Sequence, residues 1–442
     1  MIFDKLIKIL WGELHGKELL KFGLLSLGFF FLIGSYWPLK TLKDSVFINI
    51  VGPAYLPLVK ILSLALFFPI VLLYSKLVDI WSKEKIIYSV VLIYGVLGFV
   101  IVYFLGHPTI GVANTVPGAN RLLGWFLYVF VESFISLMVS LYWSFINDIT
   151  TPESAKKGYG MIAFGTQLGG FLFTLFGNYL AYDETKYTTT VPKIALISVL
   201  MFFLIALVVF IVEKVTPRNE LESYGHLVKP ETKERVGFWD GLQIILTRPY
   251  VLGIFGIIFF QEFVTTILGL QMSLLAKFTY ADPGLLNKFY FNFSMWVQII
   301  ACLFALLGTS YFQRRFGIKF CLVTFPLLLG GVIIGYVIHP TLATITYVML
   351  IAKSLNYALN QPAKEVLYIP TTKSVKFKSK AWIDMFGMRF GKASGSSVSN
   401  LFGGVVGLTG GVTLCSIFVW VIVSTVVGNM FKKVVDNREI IE

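Results

Sequence analysis

The chain has 442 residues, of which 56% are hydrophobic and 14% charged, with a mean hydropathy of +0.78. A soluble domain runs nearer 45–50% apolar and about 25% charged, so the composition excludes most soluble enzyme classes and marks a polytopic membrane protein. The net charge of +13 does not require a nucleic-acid partner, because Lys and Arg collect on cytoplasmic loops, where they set orientation.

The first 21 residues carry Asp4, Glu13 and Glu18 among their lysines. They read as an amphipathic surface helix rather than a cleavable signal. Apolar runs long enough to cross a bilayer follow at 22–42, 55–78, 86–106, 122–148, 158–181 and 192–213. A polar stretch over 215–249 reads as a cytoplasmic linker with an amphipathic segment. Six more runs follow at 250–277, 286–312, 317–338, 342–369, 381–407 and 410–430, and 431–442 forms a basic tail. The division is therefore an N-terminal six-helix half (22–214) and a C-terminal six-helix half (250–430).

With both termini in the cytoplasm, about 25 of the 37 Lys and Arg fall inside, about 6 outside and about 6 within spans, a bias that fixes orientation. The halves resemble each other at an offset of about 220, with Ile149-Thr150-Thr151-Pro152 opposite Ile369-Pro370-Thr371-Thr372 and Tyr74–Lys85 opposite Tyr311–Lys319. The fold expected is all-α with twelve transmembrane helices in two halves, the major facilitator architecture. In such a fold the substrate binds at the midplane between the halves and access alternates.

Cys302, Cys321 and Cys415 all sit in apolar runs, and the four histidines are unpaired in sequence. Neither a disulfide framework nor a metal spacing is present. No nucleophile–base–orienter set is visible, so an enzyme is not expected. Neither a metal nor a cofactor is called for.

Ionisable residues within spans cost at least about 2.5–3.5 kcal/mol each and are functional candidates by default. Lys43 and Asp44 lie at the outer end of the first span, where snorkelling is an alternative. Glu132 lies about ten residues into the fourth span, and Glu262 at mid-depth in the seventh. At the repeat offset Glu262 falls opposite Leu42/Lys43, and Glu132 opposite Lys353, so salt bridges between the halves are one expectation. In the tenth span Lys353, Asn356/Tyr357, Asn360/Gln361 and Lys364 recur at helical spacing and share one face. Pro362 is expected to kink that helix. The eleventh span holds Arg389 and Lys392 in a glycine-rich string, Gly387 to Gly395, that either packs helices closely or serves a ligand. Adding Lys40 and Lys364 to Lys43, Lys353, Arg389 and Lys392, the bases outnumber Glu132 and Glu262. A multiply charged anion such as a phosphate ester fits that balance.

Several of these stretches form a longer pattern. Leu42-Lys43-Asp44-Ser45 follows the first span, and Trp143-Ser144-Phe145-Ile146-Asn147-Asp148-Ile149-Thr150 ends the fourth. Pro362-Ala363-Lys364-Glu365-Val366-Leu367-Tyr368-Ile369-Pro370 is followed by Lys380-Ala381-Trp382-Ile383-Asp384 and Gly391-Lys392. The sequence resembles the ATP/ADP translocases of intracellular bacteria and plastids, over roughly residues 22–410.

The resemblance implies a transporter that exchanges or imports nucleotides through a cationic site. Two lysines and two glutamates important in that family map by motif to Lys43, Glu132, Glu262 and Lys392. The lysines would contact phosphates, and the glutamates would pair with them or take a proton. The candidate substrate-binding set is Lys43, Glu132, Glu262, Lys353, Asn356, Tyr357, Arg389 and Lys392. The sequence departs from the family pattern in four places. Phe263-Val264-Thr265-Thr266 replaces a Trp-Lys, Gln361 an Asp, and Asn356 a frequent lysine, while Gly391-Lys392-Ala393-Ser394-Gly395 stands for Gly-Lys-Ser-Gly. The departures leave open a different anion, such as a dinucleotide like NAD or another phosphorylated compound, with or without proton coupling. The expected setting is a cytoplasmic (inner) membrane, with lipid as the surrounding partner and a monomer as the unit.

Overall fold

The computed structural model describes residues 16–150, 152–215, 238–307, 309–368, 370–371, 379, 382–402 and 405–437. Among them there is no β-strand. The N-terminal segment 1–15, linker residues 216–237, residues 372–378, 380 and 381, and the end of the tail at 438–442 lie outside the described residues. So do the motif residues Thr151 and Ile369 and the motif side chains of Asn147, Asp148, Pro362, Glu365 and Asp384.

The helices in chain order are α1 (Gly16–Ile50), α2 (Leu56–Ile80), α3 (Lys83–Leu105), α4 (Leu122–Asp148), α5 (Pro152–Ala181) and α6 (Tyr187–Val215). A short α7 (Phe238–Thr247) lies in the joining segment. Then come α8 (Pro249–Thr279), α9 (Pro283–Leu307), α10 (Thr309–Ile338), α11 (Leu342–Leu355), α12 (Gln361–Leu367), α13 (Met388–Leu401) and α14 (Val406–Asp436). With α11 and α12 forming one span, these match the twelve expected spans. Among the described residues, seven helices are individually long and apolar enough to cross a bilayer.

The boundaries have local causes. Pro152, Pro249 and Pro283 each open a helix, where the missing N–H costs nothing. Thr341 and Thr344 form a reciprocal capping box at the start of α11. Asp183 accepts from the Thr185 backbone N–H before α6. Its carboxyl is held below the ordinary Asp value, first by its hydrogen bond to Lys186 and then by Thr185.

The chain forms two compact units. One comprises 1–52, 66–233 and 282–295; the other comprises 53–65, 234–281 and 296–442. Each unit thus takes in a short segment from beyond its main run, at the start of α9 in the first and before and into α2 in the second.

In the first unit α1 is central, packing against α4, α5 and α6. Gly158, Gly165 and Gly169 of α5 abut Phe22, Ser26 and Phe30 of α1 so closely that an added methyl would collide. A second face of α1 carries Thr41, Ser45 and Asn49, one every fourth residue. These bind the beginning of α9. Thr41 Oγ1 donates to Ser294 Oγ (3.0 Å), Ser45 Oγ to Asn287 Oδ1 (2.8 Å) and Asn49 Nδ2 to the Pro283 carbonyl (3.4 Å).

In the second unit the same device recurs. Gly387, Gly391 and Gly395 lie against Phe255, Phe259 and Phe263 of α8. By this contact Phe263 corresponds to Phe30 and Phe259 to Ser26. Glu262 therefore corresponds to Phe29 and not to Lys43, and the charge match read at the offset near 220 is not a structural equivalence. The packing stripe, which depends on small residues, keeps a different register from the loops that suggested the offset.

Candidate functional site

The charged residues gather in two places, one in each unit. In the first unit, Lys43 was expected near the end of the first span. Instead α1 continues through Val46, Phe47, Ile48 and Ile50, all buried, and Lys43 is only 3% exposed. Its ammonium lies 2.6 Å from Glu132 Oε1 on α4 and 3.3 Å from Asp44 Oδ1. It also sits 4.0 Å above the Tyr128 ring centroid, a cation–π contact.

Helical spacing explains the convergence. Tyr128 and Glu132 are one turn apart on α4, as Lys43 and Phe47 are on α1. Phe47 packs edge-on against Trp125 and Tyr128, fixing the register in which Lys43 meets Glu132. Lys43, the partner of Glu132 in this pair, belongs to the same half as Glu132. Lys40, one turn earlier, lies over the Trp37 ring at 4.3 Å.

In the second unit, a methyl on Gly391 would sit 2.8 Å from the Phe259 carbonyl and 3.0 Å from Glu262 Cβ, and one on Gly395 2.6 Å from the Phe263 carbonyl. The glycine string is thus a helix-packing surface. It sets Lys392, the next residue after Gly391, at the level of Glu262. Helix α8, which carries Glu262, packs against both α13, which carries Lys392, and α11, which carries Lys353, and Tyr357 lies one turn after Lys353, so these four candidates lie on adjoining segments. All four are half-buried. Arg389 lies one turn before Lys392 and is 8% exposed.

Two five-residue π-helical turns flank this neighbourhood, Asn356–Asn360 and Ile383–Gly387. Such wide turns are frequent at functional sites. In the first, the Gln361 N–H bonds the Asn356 carbonyl, five residues back. The turn stands immediately before position 362 in the sequence, a proline, which supplies no backbone N–H to continue the regular helical pattern. The expected kink therefore takes the form of a widened turn.

Asn356 belongs to an amide network. Asn360 Nδ2 donates to Asn356 Oδ1 (3.0 Å) and to Gln261 Oε1 (2.6 Å), and Lys364 Nζ donates to the same Gln261 oxygen at 2.7 Å. Gln261 and Lys364 are both buried. Sequence reasoning passed over Gln261. Its signal was a second polar residue beside Glu262 inside the apolar run Phe259–Phe263.

Among the described residues no group of three or more His, Cys, Asp or Glu forms a metal cluster, and Cys302, Cys321 and Cys415 are free thiols.

A family model described as TLC ATP/ADP transporter matches residues 1–436. The chain is 25% identical to ADP,ATP carrier protein 1 of Chlamydia trachomatis, covering 97% of this chain and 92% of the carrier. It is 25% identical to the plastidic ATP/ADP-transporter of Solanum tuberosum, over 89% of this chain and 70% of that protein. It is 24% identical to ADP,ATP carrier protein 3 of Rickettsia prowazekii, over 91% and 90%. Among solved structures, a D-xylose-proton symporter superposes with a TM-score of 0.59 at 14% identity, covering 94% of this chain and 96% of the symporter. The nucleoside transporter NupG gives 0.54 at 14%, covering 95% and 100%. These likenesses establish the shared helical fold.

Proposed function

The chain belongs to the TLC ATP/ADP transporter family, and from that premise we propose that it moves nucleotides across a membrane by alternating access, as a monomer. It is a multi-pass membrane protein and not an enzyme. The observation that carries the substrate reading is that α8, with Glu262, packs against both α11, with Lys353, and α13, with Arg389 and Lys392. Among the described residues of these helices the cations outnumber the carboxylate of Glu262, a setting that favours a polyphosphate.

In this reading Lys353, Lys392 and Arg389 meet phosphate oxygens, and Glu262 holds the lysines when substrate is absent. Asn356 and Tyr357 contribute neutral hydrogen bonds and ring contact. Lys43 and Glu132 form a pair whose making or breaking accompanies the transport cycle. The curated relatives are named as carriers of ADP and ATP, so those nucleotides head the substrate list. The membrane is placed as the cytoplasmic membrane, with both termini inside, on the charge bias of the loops.

A second reading rests on Asn356 and Gln361, which stand where the family resemblance leads one to expect a lysine and an aspartate. A less charged substrate, a dinucleotide or a phosphorylated metabolite, would suit that change. The test is uptake of labelled ATP by cells expressing the chain, with unlabelled ADP, AMP, NAD and phosphate as competitors. Strong competition by ADP supports the first reading. Competition by NAD or phosphate but not by ADP supports the second, and if neither labelled ATP nor, in a parallel assay, labelled NAD or phosphate enters with verified, inserted protein, both are overturned.

A further inference from the structure

Within the second unit, α10 and α14 enclose a groove of about 880 Å³ well away in sequence from the residues above. Its walls include Phe316, Phe320, Val323 and Leu327 of α10 and Phe431 and Val435 of α14. Phe316, Phe320 and Leu327 are 49%, 41% and 55% exposed, so the groove opens to the surroundings along an apolar side. We propose that it binds one anionic phospholipid, with the acyl chains along these walls and the headgroup phosphate between Lys319 and Lys432.

Charge placement selects the occupant. Lys319 lies across Gly428, where an added methyl would stand 2.7 Å from the lysine's Cγ. Lys432 is one turn beyond Gly428 on the same face of α14. Both lysines therefore lie toward the same end of the groove, and both are lining residues. Asp436, one further turn on, is the groove's carboxylate. Among the described residues no salt bridge involves Lys319 or Lys432. Two cations against one acid leave this end positive.

Depth selects a lipid over a soluble phosphate. Helix α14 has 31 residues, about 46 Å at 1.5 Å per residue, which exceeds the roughly 30 Å hydrocarbon layer. Its last turns, with Lys432, thus reach the headgroup region. From Lys319 to Leu327 the groove descends about 12 Å, close to the depth of one leaflet's hydrocarbon. The Gly317 backbone, at φ 82° and ψ 167°, breaks α10 just before Lys319. Only glycine adopts that conformation readily, and the break starts a fresh helical run at the groove's mouth. Basic residues at such a position attract anionic lipid.

The experiment uses the full chain in a mild detergent. Thermal stability is followed while phosphatidylglycerol, phosphatidylcholine with the same acyl chains, or soluble glycerol phosphate is titrated. The proposal expects phosphatidylglycerol to stabilise at roughly tenfold lower concentration than phosphatidylcholine, with glycerol phosphate inert. The K319Q/K432Q double variant should erase the difference between the lipids, whereas K319R/K432R should keep it. Equal responses to the two lipids, or an unchanged preference in K319Q/K432Q, would overturn the proposal. A response to glycerol phosphate equal to that of the lipid would overturn it as well, by showing an adventitious anion site. None of these arms involves nucleotide, so their outcome is independent of the transport reading.

Discussion

Lys43 of α1 donates to Glu132 of α4 across 2.6 Å, in a place where the lysine is 3% and the glutamate 16% exposed. The pair joins two residues that are 89 positions apart in sequence, and it is closed from one side by the Tyr128 ring. A buried pair of this kind contributes little net stability compared with apolar residues of the same shape, but breaking it is costly.

That asymmetry separates stability from transport. Glu132→Ala, which removes the closer carboxylate from Lys43, should destabilise the protein by about 3–5 kcal/mol. Lys43→Met combined with Glu132→Leu should restore most of the loss without restoring uptake. Thermal unfolding in detergent beside labelled-nucleotide uptake checks both. If the double variant transports normally, the pair is structural.

The glycine stripe makes a second prediction. Gly391→Leu must push α13 away from the Phe259 carbonyl and Glu262. Overpacking of this sort costs about 1–3 kcal/mol, and it displaces Lys392 from the level of Glu262. Uptake should fall at least tenfold in protein that still inserts. Gly411→Leu is the control, since a methyl there meets nothing within 4 Å, and it should be near neutral.

A third prediction concerns the ladder on α1. The Ser45 hydroxyl and the Asn287 side-chain oxygen are 2.8 Å apart and both residues are buried. Removing Ser45 takes this donor from the buried Asn287 oxygen, at a cost of about 1–3 kcal/mol, whereas removing Asn287 costs less because the Ser45 hydroxyl keeps the Leu42 carbonyl as a partner. Ser45→Ala with Asn287→Leu should cost less than the two single changes added together. A double-mutant cycle by thermal unfolding should return a coupling of about 1 kcal/mol; strict additivity would show that this hydrogen bond does not form.

The twelve spans were legible in the sequence because hydropathy at this length has few other readings. So was the deep placement of Glu132, since a carboxylate ten residues into an apolar run has no route to the surface. Two features were obscured. The end of α1 was set too early by the charges of Lys43 and Asp44, although the apolar residues from Val46 to Ile50 continue the helix. The partner of Glu132 depended on packing by Phe47, Trp125 and Tyr128, which no periodicity reveals. The glycine stripe at Gly387, Gly391 and Gly395 is visible in the sequence, but a close contact and a ligand loop share that spelling, and only the neighbouring Phe259 backbone distinguishes them.

The amide network yields a fourth prediction. Asn360 donates to both Asn356 and Gln261, and Lys364 donates to the same Gln261 oxygen. Asn356→Lys adds a cation one residue before Tyr357. Competition against labelled ATP should then shift toward triphosphates over monophosphates by about tenfold, the equivalent of about 1.4 kcal/mol. An unchanged ratio would place Asn356 outside the reach of the phosphates.

The central claim is that the half-buried cations beside Glu262 and Tyr357 bind the phosphates of a transported nucleotide. Its most direct measurement is labelled ATP uptake by cells expressing the chain, comparing Lys392→Gln with Lys433→Gln at matched membrane abundance. Uptake should drop at least tenfold for Lys392→Gln and stay within twofold for Lys433→Gln, which alters the last turn of α14. Equal uptake by the two variants would contradict the account.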